Sequence, residues 1–180
     1  NSVFQNNSNA LGSGGGAVTA SGASVSITGS AFSGNTAEQG GAVLATDSEM
    51  SVSSCTFRGN SASSGGSRRL QDSVDVPSGG GALHWSKTDM TNGKLLLVDS
   101  CTFEENVAQQ GSGGAVFIQA AAFASVDPTD SSERHSTFKD VSFIQNDAHT
   151  GGAVAVASSF PHATRKADHW LLRLDHVDFK

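Results

Sequence analysis

The chain has 180 residues, among them 21 Gly, 3 Pro and no Tyr, with 16% charged residues and a formal net charge of -6. That length suits one domain with a continuous core, and the acidic balance leaves no Lys/Arg stripe to neutralise the phosphates of a nucleic acid. No apolar run approaches the ~20 residues of a membrane helix, and the one Arg pair, Arg68-Arg69, lies in a Ser/Gly-rich stretch that reads as a solvated loop.

One phrase recurs along the chain. A Phe is followed three residues later by Asn, and further on by Gly-Gly-Ala and an aliphatic residue. The copies are Phe4…Asn7…Gly15-Gly16-Ala17-Val18, Phe32…Asn35…Gly40-Gly41-Ala42-Val43, and Phe57…Asn60…Gly80-Gly81-Ala82-Leu83. Two more follow, Phe103…Asn106…Gly113-Gly114-Ala115-Val116 and Phe143…Asn146…Gly151-Gly152-Ala153-Val154, and another opens at Phe179. The Phe spacings are 28, 25, 46, 40 and 36 residues, so the unit is about 25 residues and the longer copies carry insertions. A unit this short, with glycine turns and period-2 stretches, predicts one turn of a parallel β-solenoid. The chain opens and closes in the same repeat phase without polar caps, which reads as residues 1–180 of a longer solenoid forming a single β-helix segment.

Each predicted coil starts with a strand whose inward residues lie seven and five positions before Phe: Val25 and Ile27, Met50 and Val52, Leu96 and Val98, Ser136 and Phe138, Leu172 and Leu174. Alternation places such pairs on one face. A two-residue turn follows, at Thr28-Gly29, Ser53-Ser54, Asp99-Ser100, Lys139-Asp140 and Asp175-His176. A second strand points inward at Ser30 and Phe32, Cys55 and Phe57, Cys101 and Phe103, Val141 and Phe143. Phe32, Phe57, Phe103 and Phe143 are therefore expected to stack in one interior column. Asn7, Asn35, Asn60, Asn106 and Asn146 fall at the next corner, where an amide can take the left-handed backbone and bond to its equivalents above and below. The third strand, after Gly-Gly-Ala, points inward at Val18 and Ala20, Val43 and Ala45, Leu83 and Trp85, Val116 and Ile118, Val154 and Val156. Its outward positions, including Leu44, His84 and Phe117, read as a nearly uncharged outer face. Three strands per turn make a triangular coil. Cys55 and Cys101 take the same inward slot in consecutive coils, and two buried free thiols are expected there in preference to a disulfide.

These phrases resemble the repeats of the polymorphic outer membrane proteins, chlamydial autotransporter adhesins marked by Gly-Gly-Ala-Ile and Phe-x-x-Asn. The resemblance runs from Phe4 to Phe179 outside the insertions, with Val or Leu where Ile is usual and without the C-terminal membrane barrel of an autotransporter. It implies a right-handed parallel β-helix like that of pectate lyases, an extracellular or cell-surface location, and adhesion to other cells or matrix. The partners it implies are a surface protein or glycan of a host or neighbouring cell, and adjoining β-helix segments at the open ends.

The same fold carries polysaccharide lyases and hydrolases, so fold alone does not decide function. Those enzymes need clustered carboxylates on an exposed face, and the phrases Asn-Thr-Asp, Asp-Asp, Gly-His-Gly and Arg-Ile-Lys of polygalacturonases are missing here. The acids that align across coils do so beside bases, as Asp99–Lys139–Asp175, Asp140–His176 and Arg58–Glu104, which reads as surface charge pairing. Five of the six His, His135, His149, His162, His169 and His176, lie late in the chain, without the convergence a metal site requires. No catalytic residue, metal or cofactor is expected.

The insertions are the better place for function. They span Ser63 to Ser78, Ser86 to Lys94, Gln119 to His135 and Ala157 to Trp170, and the last three leave at the same corner in consecutive coils. Phe123, Phe160, His162 and Trp170 stand there among polar residues and are the candidate binding residues. The expectation is a non-enzymatic extracellular β-helix for adhesion or display through loops on one edge. The alternatives are a carbohydrate-active β-helix and a passive spacer in a surface appendage.

Overall fold

The computed structural model describes residues 1–9, 14–63, 79–88, 96–121, 136–159 and 172–180. All strand pairing in it is parallel and joins only neighbouring coils, which makes the chain a parallel β-helix. The strands Ser24–Thr28, Glu49–Ser53 and Leu96–Asp99 form one ladder, and Val3–Gln5, Ala31–Ser33, Thr56–Arg58 and Thr102–Glu104 form a second. Ser136–Ile144 and Leu172–Phe179 run through both without a break, so the two ladders are one bent sheet. The strands after Gly-Gly-Ala build another sheet from Val18–Ser21, Val43–Thr46, Leu83–Lys87, Val116–Ala121 and Val154–Ser159.

The coil therefore has three sheets, but they divide the chain differently from the expected three strands. The first two expected strands share a sheet. The remaining face is a short strand just after the Asn: Ser8–Asn9, Thr36–Ala37, Ser61–Ser63, Val107–Ser112 and Asp147–Thr150. In the first three coils this strand has only two or three residues, too few to display a period of two, and the longer Val107–Ser112 shifts register after Ala108, so alternation does not reveal it.

The interior fills as the alternation requires. Met50, Val52, Leu96, Val98 and Phe138 from one ladder meet Val43, Leu83, Trp85, Val116 and Ile118 from the facing sheet, all buried. Between them runs the column Phe4, Phe32, Phe57, Phe103, Phe143 and Phe179, with successive ring centroids 4.7, 4.8, 4.7, 5.2 and 5.2 Å apart and rings within 16° of parallel. That spacing is the strand separation itself, and each of the buried rings Phe32, Phe57, Phe103 and Phe143 contributes roughly 1.5–3 kcal/mol by leaving water. On the last rung the inward side chains Leu174 and Phe179 are 48% and 56% exposed, because the described stack offers nothing beyond them.

The Asn ladder forms, with a correction to its backbone. The positive φ belongs to the residue before the Asn: Asn6 (54°), Gly34 (61°), Gly59 (60°), Glu105 (55°) and Gln145 (51°). That outward residue turns the corner, which leaves the Asn free to aim its amide inward. Asn35, Asn60 and Asn106 are fully buried. Each Nδ2 donates to Oδ1 of the next Asn along the chain at 2.9 Å, and the backbone N–H of the same residue donates to that Oδ1 at 3.0 Å. The second Nδ2 hydrogen reaches the carbonyl of the Phe one coil back, as from Asn60 to Phe32 and from Asn106 to Phe57, both at 3.0 Å. The amides of Asn35, Asn60 and Asn106 are thus engaged on both sides, which assigns them to structure.

The glycine pair has two separate duties, visible at Gly113-Gly114. Gly113 has φ of 68°, the left-handed turn that leads into the strand. Gly114 has ordinary backbone, but a Cβ on it would run into the carbonyl oxygen of Gly152 in the next coil. Both thiols are free and buried as expected. They also do more than fill space. The backbone N–H of Ser30 donates to Cys55 Sγ, and that of Cys55 donates to Cys101 Sγ, each at 3.4 Å. The sulfurs in turn donate to the carbonyls of Ser53 and Asp99 at 3.2 Å, as the hydroxyl of Ser30 does to Thr28 at 3.0 Å. In these three coils the slot holds a small side chain that both gives and accepts a hydrogen bond, whereas Val141 fills it by packing alone. Burial pushes the Cys101 thiol up to about 12, which keeps it protonated and unreactive.

Candidate functional site: the insertion edge

The strands after Gly-Gly-Ala set the edge from which the insertions leave. Leu83 to Lys87 pairs in register with Val116 to Ala120, and Val116 to Ala121 with Val154 to Ser159, so the chain exits side by side in consecutive coils. In the earlier coils the same corner is a tight turn, with Gly22 and Asp47 both at positive φ (60° and 49°). Gly22 N–H donates to the Thr46 carbonyl and Asp47 N–H to that of Ser86, which keeps the corner in register.

A groove of about 440 Å³ opens on this edge, lined by Gly22, Ala23, Ser24, Asp47, Glu49, Lys87 and Thr88. Asp47 Oδ1 accepts from both the backbone N–H and the hydroxyl of Thr88, each at 2.7 Å, and so anchors the start of an insertion. Beneath it, buried Ser48 takes the indole N–H of Trp85 on its carbonyl at 2.9 Å, while its hydroxyl donates to the Thr46 carbonyl at the same distance. The groove is polar and carries both signs of charge. The alternation holds one signal for it: Lys87 shares the inward phase of Leu83 and Trp85, and its side chain is only 7% exposed.

The candidate binding residues Phe123, Phe160, His162 and Trp170 lie outside the described residues, as do His135 and His169. The charge ladders are in place. Asp99 pairs in register with Lys139, and Lys139 with Asp175. His176 Nδ1 lies 3.6 Å from Asp140 and 3.3 Å from Asp175, and Arg58 lies 3.6 Å from Glu104 and 3.3 Å from Glu105. These groups are largely exposed, so each pair contributes little. His149 is exposed, and among the described residues no group of three or more His, Cys, Asp or Glu could hold a metal ion.

The outer face of the strands after Gly-Gly-Ala differs from expectation. Leu44, His84 and Phe117 point away from the coil interior yet are 4%, 1% and 1% exposed. Phe117 meets the His84 ring edge-on at 5.0 Å and lies against Gly79, which bridges to Ser112. Strand alternation reports direction and not what lies above, so the covering of this face cannot be read from it. Nδ1 of His84 has no hydrogen-bond partner among the described residues. Burial, partly offset by a bond with the Gly79 backbone, lowers its pKa from 6.5 to about 4. His84 is therefore neutral when folded and takes up a proton on unfolding below pH 6.5. Stability from this group is complete above pH 6.5 and falls away as pH drops to about 4, a loss of roughly 3 kcal/mol. Denaturant midpoints measured between pH 7 and pH 4 should show this fall in wild type, whereas His84→Leu should lack that share of it. Parallel pH profiles for the two proteins would contradict the assignment.

Stacked coils whose strands end side by side at one edge define a solenoid scaffold. Two stretches of the chain, residues 29–46 and 100–119, match the Chlamydia polymorphic membrane protein (Chlamydia_PMP) repeat, so the chain carries repeats of that type. Each stretch spans a complete phrase, Phe32 to Val43 and Phe103 to Val116. The match associates the chain, at a coarse level, with surface proteins of the outer membrane. No curated protein and no solved structure matches it.

Proposed function

We propose that the chain is an extracellular, non-enzymatic β-helix that adheres to a protein or glycan on another cell through its insertion edge. The observation that carries this reading is the register of the exits: consecutive coils deliver their insertions to one side of a rigid stack. Phe160 and Trp170 are the proposed contact residues, with Phe123 and His162 beside them. The groove beside Asp47 and Thr88 extends the same edge and would accept polar groups of the partner. Adjoining segments of β-helix would continue the rod at its two ends.

The test replaces residues 160–171 with a short Gly-Ser linker and compares binding to cells and to a glycan array. The stack pairs Ser136–Ile144 with Leu172–Phe179 on either side of that insertion, so melting should change little. The expected result is loss of binding at unchanged melting temperature, reproduced by the double substitution Phe160→Ala and Trp170→Ala. Undiminished binding by both variants would favour a spacer role.

A further inference from the structure

We propose that Asn6 is an attachment site for an N-linked glycan. Asn6-Asn7-Ser8 is the one Asn-x-Ser/Thr sequence in the chain, the acceptor pattern for glycosylation of a side-chain amide. The geometry distinguishes its two asparagines. Asn7 commits its backbone N–H and its Nδ2 to Asn35 Oδ1 in the ladder, at 3.0 and 2.9 Å. Asn6 turns the corner just outside, with φ of 54°, and both Asn6 and Ser8 are exposed.

The surroundings of Asn6 have room for a sugar. The equivalent corner residues of the next two coils are Gly34 and Gly59, also at positive φ. Asn6 Oδ1 lies close to where a Cβ on Gly34 would stand, and a Cβ on Gly59 would meet nothing within 4 Å. The corner is therefore bare for two rungs beside the acceptor, until Glu105 takes the position. A first sugar on Asn6 can lie along that strip without displacing a side chain. The corner is also separate from the one where the last three insertions leave, so a glycan here does not cover that edge.

The rest of the ladder is shielded from the same chemistry. Asn35, Asn60, Asn106 and Asn146 are each followed two residues later by Ala: Ala37, Ala62, Ala108 and Ala148. The first three of these are buried, where a hydroxyl would have to give up water. A Ser or Thr there would make an acceptor of an asparagine whose amide the stack requires. In the transfer itself, Asn6 Nδ2 attacks C1 of the sugar in a polyprenyl-diphosphate-linked oligosaccharide. The N–C1 bond forms, the C1–O bond breaks, the polyprenyl diphosphate leaves with its electron pair, and the amide gives up one proton to a base of the transferase. The proposal needs only passage through a compartment holding that donor and enzyme, and is independent of the adhesive reading.

The experiment expresses the full chain behind a cleavable secretion leader in a eukaryotic cell that N-glycosylates, alongside a reference glycoprotein. Intact mass and peptide maps are compared before and after peptide N-glycosidase. The expected result is a glycan at Asn6, released to leave Asp at that position and absent from Asn6→Gln and from Ser8→Ala, while Ser8→Thr is modified at least as fully. Melting of unmodified Asn6→Gln should equal that of deglycosylated wild type, which separates loss of the acceptor from loss of the fold. Secreted wild type with bare Asn6 beside a modified reference protein, or a glycan that survives Asn6→Gln, would overturn the assignment.

Discussion

Replacing Asn106 with alanine should destabilise the protein by about 4 kcal/mol or more. The side chain is fully buried in the middle of the stack. Its Oδ1 accepts from the backbone N–H and Nδ2 of Asn60, and its Nδ2 donates to the Phe57 carbonyl and to Asn146 Oδ1. Alanine removes all four bonds and leaves the Asn60 and Phe57 groups buried without a partner. An unmet buried polar group costs about 1–3 kcal/mol, so even partial relaxation leaves a large deficit. Urea unfolding provides the measurement. Glu105→Gln, one residue away on the surface, keeps a side chain of the same length at the corner, where Gln145 stands in the next coil, and should stay within about 0.5 kcal/mol. Equal effects at the two positions would show that the amide ladder does not hold the coils together.

Phe103→Ala should cost about 3–5 kcal/mol. The ring is fully buried between Phe57 at 4.7 Å and Phe143 at 5.2 Å. Its removal leaves a ring-sized void that flat neighbours on a fixed strand spacing cannot close. Phe103→Leu retains part of the volume and should fall between wild type and alanine. A loss below about 1 kcal/mol for the alanine variant would mean that the column contributes shape without energy.

What the sequence made legible was whatever repeats with a period of two. The pairs Val25/Ile27, Met50/Val52 and Leu96/Val98 and the Phe column could be assigned to the interior because alternation fixes direction. The contacts of Arg58 with Glu104 and of Asp140 with His176 followed from the same register. Three things did not follow. The strand Thr36–Ala37 is too short to show a period. The positive φ at Glu105 and Gln145 sits on residue types that give no hint of it. The burial of Leu44, His84 and Phe117 depends on what lies over them, which no strand pattern encodes. At the insertion edge, the register of the exits was legible because it is counted in whole coils. The groove between Asp47 and Lys87 was not, because it arises from residues about forty positions apart that meet only once the coils stack.

The amide ladder is also polar. Every Nδ2 that crosses between asparagines donates toward the later coil and every Oδ1 accepts from the earlier one. A partly assembled rod therefore ends in unfilled donors, and the incoming coil brings the matching acceptor. Strand pairing never skips a coil, so completing one requires nothing from the far end of the chain. Assembly can then advance in one direction as the polypeptide emerges, N-terminus first, each finished turn serving as the template for its successor. The length of an insertion only delays the next step. It does not alter the surface on which that step takes place, so loops at the displayed edge can change freely while the order of assembly stays the same.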